Sequence, residues 1–103
     1  MRQIVLGLAL AGLLGGLVQA EEVTVKIENF TFNPASVTVK PGTTVTWVNG
    51  DDIPHSVVEN SRLFHSPPLD SGEKFSMMFN TAGVVNYFCG FHAHMQGKVI
   101  VQP

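Results

Sequence analysis

Short runs of alternating apolar and polar residues recur along the chain after residue 20. In residues 23–28, valine and isoleucine alternate with threonine, lysine and glutamate, which is the pattern of a half-buried β-strand. Similar alternation, or enrichment in β-branched and aromatic residues, predicts further strands over residues 36–40, 43–49, 55–58, 75–79, 85–89 and 98–102. No stretch of helical length and periodicity follows residue 20. Short strands with intervening turns predict an all-β antiparallel sandwich in one domain.

The first twenty residues have a different composition. A positive start at Met1–Gln3 precedes an apolar run over residues 4–18, and Ala20 is followed by two acids, Glu21 and Glu22. This order is typical of a secretory signal. The apolar run is shorter than the ~20 residues that span a bilayer. We therefore predict a signal peptide at 1–20, cleaved after Ala20, and an exported, periplasmic domain at 21–103, with an uncleaved membrane anchor as the alternative.

The charge of the chain excludes one class of partner. Of the 6 Lys and Arg residues, Arg2 alone lies in the signal, so the mature domain keeps five against 8 Asp and Glu, a net charge of −3. The five basic residues are scattered, and a nucleic-acid-binding surface requires them to cluster. We therefore expect no nucleic-acid partner.

Cys89 is the only cysteine of the chain. In an exported protein a lone thiol can be buried and inert, can link two chains or can bind a metal. Its neighbours favour the metal, because Cys89 is followed by His92 and Met95, and His55 lies upstream behind a proline. Two imidazoles, one thiolate and one thioether are the donors of a blue-copper site. Zinc is disfavoured, because structural zinc sites usually contain several cysteines.

Two segments resemble the ligand segments of the cupredoxins, in the amicyanin and plastocyanin branch. They are Thr46-Trp-Val-Asn-Gly-Asp-Asp-Ile-Pro-His-Ser-Val57 and Tyr87-Phe-Cys-Gly-Phe-His-Ala-His-Met-Gln-Gly-Lys-Val99. The stretch Leu69-Asp-Ser-Gly-Glu-Lys-Phe-Ser76 is similar to small bacterial members. The resemblance runs from about Val23 to Val101, which is nearly the whole mature chain.

The resemblance implies a Greek-key β-sandwich of about seven to eight strands, with one type 1 copper ion held by His55, Cys89, His92 and Met95. It also implies that the Asn49 side chain ties the two ligand loops together and that the Ser56 N–H donates to the thiolate. Position 91, often proline in this branch, is phenylalanine here. We expect its N–H to give the sulfur a second donor.

Two functions remain open. The first is an electron shuttle that cycles between Cu(I) and Cu(II), and we expect it not to be an enzyme. Its redox donor and acceptor proteins are expected to dock near His92. We also expect the protein to be a monomer without stable membrane association. The second is a periplasmic copper carrier or sensor. An oxidase is excluded by count, because a three-copper cluster needs several His-x-His pairs and the chain has 4 histidines. His65 and His94 are expected to face solvent, with His94 a rival to His92.

Overall fold

The computed structural model describes residues 21–103, so the predicted signal at 1–20 lies outside it. The described residues form eight strands: β1 (Glu22–Glu28), β2 (Thr31–Asn33), β3 (Ser36–Val39), β4 (Thr43–Asn49), β5 (Val58–Glu59), β6 (Lys74–Phe79), β7 (Gly83–Cys89) and β8 (His92–Val101). No helix that could cross a membrane occurs between residues 21 and 103.

The strands form two four-stranded sheets, in the orders β2-β1-β4-β6 and β3-β8-β7-β5. This confirms the predicted sandwich. The expectation of antiparallel pairing throughout is wrong, because β1 pairs with β4, and β3 with β8, in parallel. Parallel neighbours require a crossover connection. The chain from β1 to β4 supplies one by passing through β3 in the other sheet.

The core fills the space between the sheets and is centred on Trp47. Its ring is fully buried and lies 5.2 Å from the Tyr87 ring, 6.0 Å from Phe75 and 6.3 Å from Phe79, measured between centroids. Trp47 is therefore a core residue. Cys89 and Met95 belong to the same buried cluster, which places two of the four candidate ligands at the edge of the hydrophobic core.

The largest differences from the prediction are one missed strand and two displaced strand starts. The sequence pattern did not identify β2, and β5 begins at Val58 rather than at residue 55. The last strand begins at His92 rather than at Lys98, because β7 and β8 continue to pair as far as Cys89 and His92. His92 and Met95 therefore lie on β8, and only Gly90 and Phe91 form the turn. A register irregularity at Phe88 and Cys89 interrupts the alternation of faces there.

Gly97 sits where a side chain cannot fit. A Cβ atom at this position would overlap the ring and hydroxyl of Tyr87, which is 1% exposed. We expect Gly97→Ala to lower the free energy of unfolding by about 1–3 kcal/mol, the range for overpacking a core. Urea denaturation measures the change. Lys98→Ala, an exposed change on the same strand, is the control and should stay within about 0.5 kcal/mol. Equal effects of the two variants would contradict the packing seen around Tyr87.

Candidate metal centre

Three of the four predicted ligands meet at one end of the sandwich. The Cys89 sulfur lies 3.7 Å from Nδ1 of His55 and 3.7 Å from Nδ1 of His92. One donor atom from each of the three residues lies within 4.8 Å of the others. Cys89 and His55 are fully buried, whereas His92 is partly exposed. The cluster thus has an inner side in the core and an outer side at the surface.

The spacing of the donors fits a first-row metal ion. Bonds of about 2.0 Å to nitrogen and about 2.3 Å to sulfur, taken from zinc sites as a scale, place two ligands of a trigonal centre ~3.7 Å apart. The observed nitrogen–sulfur distances of 3.7 Å agree. A thiolate with two imidazoles is also a soft donor set of the kind that copper prefers. The residues present therefore fit a copper ion.

The remaining candidate donors are Met95, His94 and His65. Met95 is buried, three positions after His92 on β8, and its role as fourth ligand stays a prediction. His94 is exposed, with its ring centroid 6.4 Å from that of His92. His65 is exposed and its backbone bridges to Val58. Within residues 21–103, neither His65 nor His94 joins the three-residue cluster.

Backbone pairing and one buried amide hold His55 in place. The His55 N–H donates to the Leu69 carbonyl at 3.2 Å, and the Leu69 N–H donates to the His55 carbonyl at 2.7 Å. The Asn49 amide is fully buried and donates to the carbonyls of Leu69 and Ile53, each at 2.8 Å. These bonds hold the backbone at Ile53 and at His55, and therefore restrain the position of the His55 ring.

Ser56 connects the segment of His55 to the segment of Cys89 by two hydrogen bonds. Its N–H donates to the Cys89 sulfur at 3.4 Å, as the resemblance implied, and its hydroxyl accepts from the Gly90 N–H at 2.9 Å. The expectation that Asn49 joins the loops is wrong, because its bonds go to the segment around His55 and Leu69. The expected bond from the Phe91 N–H to sulfur is not present in the described part of the chain, which leaves Ser56 as the backbone donor found there.

Loss of the Ser56 hydroxyl should destabilise the protein without changing its copper ligands. Ser56→Ala removes the acceptor of the Gly90 N–H, and an ordinary hydrogen bond of this kind contributes about 0.5–1.5 kcal/mol to stability. The N–H that donates to sulfur remains. Urea denaturation should show the loss, while the visible spectrum of the copper-loaded protein stays close to that of the wild type. Ser61→Ala, at an exposed serine, should change stability by less than about 0.5 kcal/mol. A similar result for both variants would exclude a structural role for the hydroxyl.

Asp51 contacts the site, although the sequence pattern did not single it out. Its Oδ2 lies 2.8 Å from Nε2 of His55, and its two oxygens accept from the N–H groups of Asn29 at 2.8 Å and Phe30 at 3.0 Å. Burial acts to raise the pKa of Asp51, but the hydrogen bonds from Phe30, Asn29 and His55 outweigh it, and the pKa lies below its usual value. The carboxylate is therefore ionised at neutral pH.

Phe30 covers the two imidazoles. Its ring centroid lies 5.5 Å from that of His55 and 5.2 Å from that of His92, with interplanar angles of 88° and 89°. The side chain is 47% exposed, so its outer face is at the surface. Spacing along the chain could not reveal this contact, because Phe30 lies 25 positions before His55.

Comparison with known proteins identifies relatives over most of the chain. The model of a family described as copper-binding proteins of the plastocyanin/azurin family matches residues 19–102. Amicyanin from Paracoccus versutus is 38% identical over 90 residues, covering 82% of this chain and 68% of the relative. Plastocyanin from Scenedesmus fuscus is 40% identical over 98 residues, covering 79% and 100%. A solved structure of an oxidised amicyanin variant superimposes with a TM-score of 0.75 at 29% identity, covering 78% and 81%.

Proposed function

Because this chain belongs to the plastocyanin/azurin family of copper-binding proteins, the cupredoxins, we propose that it shuttles single electrons between redox proteins. It holds one type 1 copper ion. His55, Cys89 and His92 would bind that ion, with Met95 as the weak axial donor. The observation that carries the proposal is the convergence of one thiol and two imidazole nitrogens at the spacing of a metal site.

Copper supplies a one-electron couple between Cu(I) and Cu(II). The protein residues favour electron transfer over substrate chemistry, because four ligands would leave no open position of the kind that catalytic metal sites keep. The donors are also held before the ion arrives, since Ser56 fixes Cys89 and the Leu69 bridge fixes His55. A rigid donor set changes little between the two oxidation states, which keeps the reorganisation energy low.

We place the docking surface for donor and acceptor proteins around His92, which is the partly exposed member of the cluster. Phe30, whose ring lies against that of His92, and Phe91, which precedes His92 in the chain, are exposed by 47% and 54%. Exposed apolar side chains at one site are typical of a protein–protein contact surface. The partners are redox proteins, and the chain acts as a monomer between them.

A copper carrier is the alternative function, and retention of the metal distinguishes it from a shuttle. The experiment loads the protein with one equivalent of copper and cycles it repeatedly between a mild reductant and a mild oxidant, with a Cu(I) chelator present. A shuttle keeps its copper and regains its Cu(II) spectrum after each cycle. Transfer of the metal to the chelator at the first reduction would favour the carrier and contradict the proposal.

We propose export to the periplasm with removal of residues 1–20. The support is the charged start, the apolar run and Ala20 at its end. The mature protein purified from its native host should therefore begin at or near Glu21, and intact-mass measurement determines this. A mass equal to that of all 103 residues would instead indicate a retained anchor. Analysis of the soluble and membrane fractions of the same cells provides the control.

A further inference from the structure

We propose that the Asp51 carboxylate is a positioning residue of the metal centre, which holds His55 with Nδ1 toward Cys89 and seats the Phe30 ring against both imidazoles. The inference rests on the proposed function in that it takes His55 and His92 to be copper ligands. The Asp51 side chain would thus orient the buried ligand His55 and also place the Phe30 ring that covers the site.

The first contact fixes the proton of His55. An ionised carboxylate can only accept hydrogen bonds, so Nε2 of His55 must be the donor to Oδ2 of Asp51 across the 2.8 Å that separates them. Neutral imidazole carries one proton, and with that proton on Nε2 the Nδ1 lone pair is free. That nitrogen is the one that faces the Cys89 sulfur at 3.7 Å. Asp51 thus selects the tautomer that can bind a metal at this place.

The second contact fixes the turn between β1 and β2. Asn29 and Phe30 have φ angles of 53° and 59°, a left-handed conformation that residues other than glycine keep only when the surrounding structure imposes it. Both of their N–H groups donate to the Asp51 carboxylate, at 2.8 and 3.0 Å. Asp51 lies more than twenty positions away along the chain, so the bond is a tertiary restraint on the turn.

The conformation of this turn determines where the Phe30 ring lies. The ring stands edge-on to His55 and His92 at centroid distances of 5.5 and 5.2 Å. It therefore excludes solvent from the imidazoles on the side that faces out of the core. The Asp51 side chain is itself only 16% exposed, so the Phe30 turn, the carboxylate and the His55 ring form one packed unit.

This arrangement has consequences for copper. A carboxylate that accepts the outer N–H of a ligand histidine raises the basicity of the metal-binding nitrogen. A stronger donor stabilises Cu(II) more than Cu(I). Asp51→Asn, which replaces the carboxylate by an amide of the same size, should therefore raise the reduction potential and weaken Cu(II) binding by about 10–100-fold, the range for loss of such partners.

The matched control is Asp52→Asn, which removes the same charge one position along the chain. Asp52 is exposed and, within the described residues, bonds to neither His55 nor the Phe30 turn. Voltammetry and competition with a Cu(II) chelator are applied to both variants. The rise in potential and the loss of affinity in Asp51→Asn should exceed those in Asp52→Asn. Equal changes would mean that charge alone acts, and would overturn the proposal.

A measurement on the metal-free wild-type protein keeps the proposal testable if Asp51→Asn does not fold. Nitrogen-15 NMR of the His55 ring should show the proton on Nε2 in slow exchange with water, and nuclear Overhauser contacts should link the Phe30 ring to both imidazoles. A proton on Nδ1, or the absence of these contacts, would overturn the proposal. If instead the wild type shows no intense visible band with copper, the proposed function fails, and the NMR result still locates the His55 proton.

Discussion

Replacing Cys89 with serine should abolish the intense visible absorption of the copper-loaded protein. The band arises from charge transfer between a thiolate and Cu(II), and Cys89 carries the only thiol in the chain. A serine hydroxyl has nearly the same shape but does not supply a thiolate. The expected result is therefore a near-complete loss of colour, even if His55 and His92 still hold copper.

The visible spectrum at a fixed ratio of copper to protein measures this loss, and far-ultraviolet circular dichroism checks that the fold survives at this fully buried position. Ser56→Ala is the companion variant, since it alters a neighbour of the sulfur but keeps the thiol and the Ser56 N–H. The account requires colour in Ser56→Ala and none in Cys89→Ser. An intense band that persists with copper bound to Cys89→Ser would refute the ligand assignment.

His92→Ala should remove the type 1 spectrum, whereas His94→Ala should leave it almost unchanged. The reason is geometric, because Nδ1 of His92 lies 3.7 Å from the Cys89 sulfur while His94 is exposed on the following part of β8. Loss of His92 removes one of three strong donors and opens the centre to water, since it is also the partly exposed ligand.

The two histidine variants act as each other's control, because they make the same substitution two positions apart. Visible absorption and electron paramagnetic resonance of the Cu(II) forms distinguish a type 1 centre from an ordinary one. The opposite outcome, with His94→Ala losing the type 1 signals and His92→Ala keeping them, would move the ligand by two residues. It would also end the proposal that partner proteins dock around His92.

The sequence was informative where local pattern controls structure. Alternation identified β1 and β6, and enrichment in β-branched residues identified β4, because each of these strands places one face against the core. β2 was missed because three residues are too few to show a period. The start of β8 at His92 was missed because pairing with Cys89 extends the hairpin through residues that, by themselves, resemble a loop.

Spacing and donor chemistry indicated His55, Cys89 and His92, which the structure brings together. Asp51 was not recognised, because it stands beside Gly50 and Asp52 and resembles a turn residue. Its contacts depend on the reversal of the chain at Asn29 and Phe30, which lies in a different part of the sequence. Residues that support ligands through tertiary contacts leave no periodic signal, so a single sequence cannot reveal them.

The central claim is that one copper ion binds to the thiolate of Cys89 and the two imidazoles beside it. The most direct test is a titration of the metal-free protein with Cu(II), in which the visible spectrum is recorded after each addition. The account predicts an intense thiolate-to-copper band that grows linearly and stops at one equivalent of copper per chain. Binding without such a band, or a band that continues to grow to two equivalents, would contradict it.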